Sequence, residues 1–186
     1  MADHMVDADL VLKFKQGEET AFEGLVRRYM KDAYSFCLRL THNPQEAEEL
    51  SQEGFVSAYR ALREFRGESS FKSWLYRILI NSYRDRTRSR RREERRLEVI
   101  RDTETRRQDL EGAKGTSEMH ASELEDVVKL KVEELPDRQR EVLVLHLYQG
   151  LDYHEIAATL SCTYDDVKMN LSLARKRLKE SLKEYL

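Results

Sequence analysis

A chain of 186 residues with a formal net charge of −2 has room for one medium domain or two small ones, and either can bury a core. Charged residues make up 37% and hydrophobic residues 40%, with two prolines and seven glycines, which disfavours a sheet protein and favours an all-helical one. No apolar run approaches a bilayer span and the start Met1 Ala2 Asp3 His4 Met5 lacks a signal-peptide core, so the expectation is a cytoplasmic protein without membrane insertion. Cys37 and Cys162 form no paired spacing, which leaves no disulfide framework or zinc knuckle and reads both as small buried hydrophobes.

In chain order, a first short helix is predicted from about Asp7, with Leu10, Val11 and Phe14 inward and Gly17 as its stop. A second opens with Thr20 and Glu23 at capping-box spacing and carries an apolar stripe from Phe22 to Leu38. Asn43, Pro44 and Glu46 mark a third start, with the acceptor at N-cap and proline at the first helical position. Ala47, Leu50, Ser51, Gly54, Phe55, Ala58, Tyr59 and Leu62 hold its buried face. Its other face begins acidic with Glu46, Glu48, Glu49, Gln52 and Glu53, a surface on which a positively charged partner could dock. An ordinary solvated face with acids near the helix N-terminus is the competing explanation.

After a turn at Gly67 with a cap at Ser69 or Ser70, a fourth helix starts at Phe71 and has two unlike faces. Phe71, Trp74, Leu75, Ile78 and Leu79 recur at helical spacing and are expected to be buried. Lys72, Ser73, Tyr76, Arg77, Asn81, Arg84 and Arg88 fall mainly on the other side. Cations hold phosphates, rings stack on unpaired bases and amides bond base edges, so this mixture suits nucleic acid. A core helix with a solvated basic side is the plainer alternative.

From Arg95 to Glu125 there are few large apolar residues and an acidic bias around Gly112 and Gly115, which predicts a mobile linker. Order is expected to resume near Ser122 and to lead to Leu135 Pro136. A helix from Asp137 to Gln149 then closes at Gly150. Asp152 with Glu155 and Thr163 with Asp166 form two capping boxes separated by the Ser161 Cys162 connection, the layout of a helix-turn-helix. Ile156, Ala157, Leu160, Val167, Leu171 and Ala174 sit where that motif needs apolar contacts. Lys168, Asn170, Arg175, Lys176, Arg177 and Lys179 make a cationic surface suited to a major groove.

These residues carry a family resemblance. Leu135 Pro136 Asp137 Arg138 Gln139 Arg140 Glu141 Val142, Gly150 Leu151 Asp152 Tyr153 His154 Glu155 Ile156 Ala157, Val167 Lys168 and Ala174 Arg175 Lys176 Arg177 Leu178 resemble domain four of bacterial extracytoplasmic-function sigma factors. Ala47 Glu48 Glu49 Leu50 Ser51 Gln52 Glu53 Gly54 Phe55, Phe65 to Phe71, and Ser73 Trp74 Leu75 Tyr76 Arg77 Ile78 with Asn81 and Asp85 Arg86 resemble domain two. The resemblance implies two helical domains, a four-helix domain two over residues 1–94 and a helix-turn-helix domain four over residues 122–186, joined by a flexible acidic linker over residues 95–121. It further implies a non-enzymatic subunit, without cofactor or metal, that binds core RNA polymerase and promoter DNA and helps melt the promoter, and it leaves room for an anti-sigma factor as a further partner.

Residue by residue, the resemblance implies that Glu48, Glu49, Gln52 and Glu53 meet the polymerase. Gly67, Glu68, Ser69, Ser70, Lys72, Ser73, Trp74, Arg77, Asn81 and Arg84 would hold the minus-ten strand. Thr163, Tyr164, Asp165, Lys168, Asn170, Arg175 and Arg177 would meet the minus-thirty-five duplex. The chain departs from the family pattern at Ser161, where Gly is usual, at Asp166, where Thr is common, and at Met169 Asn170, where Ser-Arg is common. The alternatives are a free-standing helix-turn-helix regulator with an N-terminal partner-binding bundle, which would not need the acidic patch and the Trp74 helix together, and an enzyme. Against the enzyme stand the absence of a phosphate loop or nucleophile arrangement and the lack of ligand spacing among His42, His120, His146 and His154.

Overall fold

The computed structural model describes residues 2–101, 121–183 and 185. Every regular element among the described residues is helical. They run α1 (Ala2–Lys15), α2 (Thr20–Thr41), α3 (Pro44–Ala61), a 3-10 turn (Leu62–Glu64), α4 (Phe71–Arg101), α5 (Ala121–Glu133), α6 (Asp137–Leu147), α7 (Tyr153–Leu160) and α8 (Tyr164–Ser181). The all-α expectation holds. The expected linker of residues 95–121 lies mostly outside the described residues.

Local chemistry explains most of the helix ends. Asn43 accepts from the backbone N–H groups of Gln45 and Glu46 at 2.9 and 3.1 Å, and Pro44 fills the first turn where no donor is needed. At α2 the expected capping box is absent. Thr20 is already helical, and the N-cap is Glu19 without a side-chain cap bond. Two backbone N–H groups there are met instead by the carbonyls of Glu18 and Glu19, which bond Ala21 and Phe22. Helix α4 continues past Arg92 to Arg101, because the run from Arg84 onward contains neither Gly nor Pro and is rich in good helix formers.

The N-terminal half buries Phe14, Leu25, Ala33, Phe36, Leu40, Leu50, Phe55, Leu62, Leu75 and Leu79. Helices α3 and α4 cross so closely that a Cβ on Gly54 would lie 2.2 Å from the Leu79 side chain, which is why glycine stands there. In the C-terminal half, Val142, Leu143, Val144 and Leu145 of α6 are all buried, together with Ile156 and Leu160 of α7 and Val167, Leu171 and Ala174 of α8.

Helix α4 is buried on two sides. Phe71, Leu75 and Leu79 face the N-terminal core, while Ser73, Tyr76, Ile80 and Tyr83, also buried, follow the side that meets the C-terminal half. This corrects the expectation that Ser73 and Tyr76 lie on an open face. Ile78, expected to be buried, is only half-buried, as is Cys162, whereas Cys37 is fully buried and its thiol is pushed up to about 12 by that burial.

Candidate polymerase and nucleic-acid interfaces

Three surfaces carry the expected binding residues. On α3, Glu48, Glu49, Gln52 and Glu53 are all exposed and line one side of the helix. They are partly tied to one another and to α4: Gln52 donates to Glu48 at 3.1 Å, and Arg86 reaches Glu53 at 2.6 Å and Glu49 at 3.4 Å. Arg90 adds a pair with Glu46 at 3.5 Å. The acidic face is therefore held in place by cations one helix away. Arg86 was missed as a partner of this face, although its position in the basic run of α4 was visible.

The second surface joins the loop after the 3-10 turn to α4. Gly67 adopts φ 75, the left-handed region where a side chain would be strained. Ser70 is the cap: its Oγ accepts from the backbone N–H of Ser73 at 3.1 Å. Gly67 and Glu68 are exposed, and Ser69 and Ser70 half-exposed. Trp74 leans on Phe65 and Phe71, with ring centroids 5.0 and 5.7 Å away, so it is wedged at the edge of the core and half-open to solvent. Asn81 stands exposed two turns further along the same stripe.

The remaining expected residues of α4 are engaged by the C-terminal half. Lys72 donates to the carbonyl of Gln149 at 2.7 Å, and Arg77 to the carbonyl of Ala158 at 2.8 Å. Ser73 offers its carbonyl to Thr159. Arg84 grips Glu141 with both arms, Nε to Oε1 at 2.8 Å and a terminal nitrogen to Oε2 at 2.6 Å. The Glu141 side chain is 2% exposed, and its hydrogen bonds raise the pKa of the Arg84 guanidinium above the usual range. Tyr76, fully buried, donates its hydroxyl to the Gln149 side chain, and burial first of all pushes its phenol pKa up. Arg140 donates to the Tyr83 hydroxyl at 2.9 Å, Arg91 pairs with Asp137 at 2.9 Å, and Arg39 lies 3.9 Å over the Tyr148 ring. Glu141 and Gln149 were not singled out as site residues from the sequence. Their polarity was visible, but Glu141 closes a polar run from Asp137 to Arg140 and Gln149 lies beyond the end of α6, so nothing local set them apart.

At the edge of this contact His42, in the left-handed region at φ 54, caps α2 and sets Nδ1 2.7 Å from Glu133. Its Nε2 is buried without an acceptor, and burial with the Arg140 guanidinium pushes the imidazole down to about 4.

The third surface is α8. Both expected capping boxes are present, at Asp152 with Glu155 and at Thr163 with Asp166, and they fix the two helices about the turn. Hydrogen bonds from Thr163 hold the Asp166 carboxyl below the usual carboxylate range. Ser161 takes φ 52, ψ 53, so the turn keeps a glycine-type backbone with a serine in it. Tyr164 rests against Tyr153 and His154 with ring centroids 5.5 and 4.9 Å away. Asp165, Lys168, Arg175 and Arg177 are exposed. Asn170 is half-buried and donates its amide to the Asp166 carbonyl at 2.7 Å, so its donor is turned back onto its own helix.

No group of metal-ligating side chains occurs among the described residues, and no helix among them is long and apolar enough to cross a membrane.

Comparison with known proteins agrees with this layout. Residues 25–93 match the family model described as Sigma-70 region 2, and residues 126–178 match Sigma-70, region 4. The chain is 32% identical to the RNA polymerase sigma-H factor of Pseudomonas aeruginosa, over 97% of this chain and 95% of that protein. It is 29% identical to the ECF RNA polymerase sigma-E factor of Haemophilus influenzae, over 100% of both. Among solved structures it is similar to CnrH in complex with the cytosolic domain of CnrY, with a TM-score of 0.70 at 26% identity over 96% of this chain and 98% of that one. It is also similar to the sigma factor RpoE in complex with the anti-sigma factor NepR from Bartonella quintana, with a TM-score of 0.68 at 25% identity over 87% and 96%.

Proposed function

This chain belongs to the extracytoplasmic-function group of the sigma-70 family, and from that premise we propose how its surfaces divide the work of starting transcription. It is an alternative sigma factor and not an enzyme: it binds core RNA polymerase and directs promoter recognition, melting and initiation. The observation that carries this is the presence of both sigma regions, in order, on one chain.

The proposed division gives residues 1–94 to polymerase and minus-ten binding, 95–121 to the linker and 122–186 to minus-thirty-five binding. The acidic face of Glu48, Glu49, Gln52 and Glu53 docks on the polymerase, supported by its exposure and single sign. The loop Gly67, Glu68, Ser69, Ser70 with Trp74 and Asn81 takes an unstacked strand, supported by their shared open edge beside aromatic rings. Lys72, Ser73, Arg77 and Arg84 extend that surface once they are free. Arg84 gives Nε and one terminal nitrogen to Glu141, and Lys72 and Arg77 are held by carbonyls of the C-terminal half, so α4 offers its full cationic face to the minus-ten strand only when the two halves part. The helix-turn-helix, with Thr163, Tyr164, Asp165, Lys168, Asn170, Arg175 and Arg177, lies along the minus-thirty-five duplex.

The protein works in the cytoplasm, where core polymerase and promoters are. An anti-sigma protein is a further proposed partner, by analogy with the relatives crystallised with one.

Run-off transcription with purified core polymerase tests the reading. Promoter-dependent transcripts are expected only when this chain is added. Transcription equally efficient without it, or DNA-specific binding that ignores core polymerase, would replace the sigma reading with that of a free-standing regulator. Glu53→Lys sets a second cation beside Arg86 and should weaken core binding at least ten-fold in a pull-down, with the helical fold retained.

A further inference from the structure

The outward face of α8 is mixed rather than purely cationic. Val167, Leu171 and Ala174 fix the buried side of the helix, and the side opposite, by the helical repeat of about 100° per residue, holds Asp165, Met169, Ser172, Leu173 and Lys176. Met169 is 54% exposed and Leu173 41%, one turn apart. Lys168 and Arg175 lie on one flank and Arg177 on the other, all exposed. Asn170, the amide best suited to an adenine edge, is turned back onto the Asp166 carbonyl. Exposed apolar residues scattered singly are ordinary. Two neighbouring ones on the outward side of a helix-turn-helix recognition helix, bordered by cations, are an apolar contact that none of the described residues covers.

In a major groove only one base-pair feature is apolar, the 5-methyl group of thymine. Met169 is flexible and polarisable and Leu173 branched, and both suit a methyl rather than a donor or acceptor. The flanking Lys168, Arg175 and Arg177 then reach phosphates on either side, which position the helix but carry no sequence. Resting on the minus-thirty-five assignment of this helix, we propose that Met169 and Leu173 are specificity-determining residues that read thymine methyl groups in the upstream promoter element. Positions four apart on a helix are separated by about 6 Å along its axis, against about 3.4 Å per base pair, so the two thymines stand one or two base pairs apart.

Holoenzyme reconstituted from core polymerase and the full chain is used to select random double-stranded DNA, and a recovered duplex is resynthesised with deoxyuridine in place of thymidine in its upstream element. Uracil pairs as thymine does and lacks only the methyl group. The expected result is an element with thymines at that spacing, whose holoenzyme affinity falls about four-fold for each methyl removed, the value of one buried carbon. Met169→Ala should lose sensitivity to one methyl and Leu173→Ala to the other. Both side chains are exposed, so unchanged core-polymerase affinity serves as the folding control. An element without thymines at that spacing, equal binding of the uracil duplex, or alanine variants with full methyl sensitivity would overturn the proposal and leave the sigma assignment standing. Selection of no upstream element at all would overturn both.

Discussion

The two helices proposed to meet DNA, α4 and α8, are in opposite conditions. On α4 three cations are engaged by the C-terminal half: Lys72 and one terminal nitrogen of Arg77 by backbone carbonyls, Arg84 by a buried carboxylate. On α8 the cations Lys168, Arg175 and Arg177 are exposed, and among the described residues nothing covers Met169 and Leu173. The difference fits what each is proposed to read. A duplex presents its groove edges ready-made, and a rigid exposed helix can meet it at once. An unpaired strand exists only after melting, and a basic, aromatic surface left open would take any single strand it met. The contacts on α4 imitate the ligand, with Glu141 in the part of a phosphate. Under the proposed assignment they make strand binding by α4 conditional on opening, while duplex binding by α8 is not.

The largest effect should come from breaking that imitation. Glu141→Ala removes the buried carboxylate that holds Arg84 with both oxygens. Breaking a buried pair by deleting one member costs about 3 kcal/mol or more of the closed arrangement, on the order of a hundred-fold in its population. Labels at exposed Arg63 and Lys179 should report a longer interdomain distance, and a single-stranded minus-ten oligonucleotide should bind the free variant more tightly than the parent. An unchanged distance distribution would remove Arg84–Glu141 from the account. Tyr76→Phe is a milder break, because the ring stays in the core while the hydroxyl bond to Gln149 is lost. It should weaken the closed form by about 1 kcal/mol, roughly five-fold, and leave duplex binding by α8 unaltered.

On the open side the comparison is sharpened by Ser161→Gly. A non-glycine residue in the left-handed region costs about 1 kcal/mol, and Ser161 sits there at φ 52 in the turn that aims α8. Glycine should raise the melting temperature of the C-terminal half without changing the interdomain distance. A drop in stability would mean that the serine is better adapted to this turn than its dihedral angles suggest.

What the sequence made legible divides along the same line. The helices of the N-terminal half, α6 to α8, the Asn43 cap, both capping boxes of the helix-turn-helix and the buried residues of α8 follow from local rules, spacing and cap chemistry acting within a few residues, whereas α5 was expected only as ordered chain. The contact between the halves does not, because it joins residues far apart in the chain, such as Lys72 with Gln149 and Arg84 with Glu141, and no periodicity encodes such a pairing. Helical spacing did place Ser73 and Tyr76 opposite the first core. It could not say that the opposite side was also buried. Asn170 shows the same limit at small scale: its position on α8 fits a base contact, but the hydrogen bond back to Asp166 is a rotamer choice that spacing does not reveal.

The smallest expected effect concerns acidity at the rim of the closed contact. In the closed form the His42 imidazole is neutral, its Nδ1–H donates to Glu133, and Nε2 is buried with no acceptor for a second proton. Burial and Arg140 hold its pKa near 4, whereas an imidazole released to water titrates near its ordinary value of 6.5. Between these values the open form binds a proton that the closed form refuses, so the closed form is favoured fully above pH 6.5 and loses ground as pH falls toward 4. The Glu46, Arg86, Arg90, Glu133 and Arg140 side chains line the same cavity. Interdomain distances should therefore lengthen modestly between pH 7 and pH 5. His42→Asn, which tolerates the left-handed backbone and keeps a donor for Glu133, should flatten that response. A pH response of equal size in the asparagine variant would assign it to the carboxylates, and the rim would then have no part in keeping α4 covered.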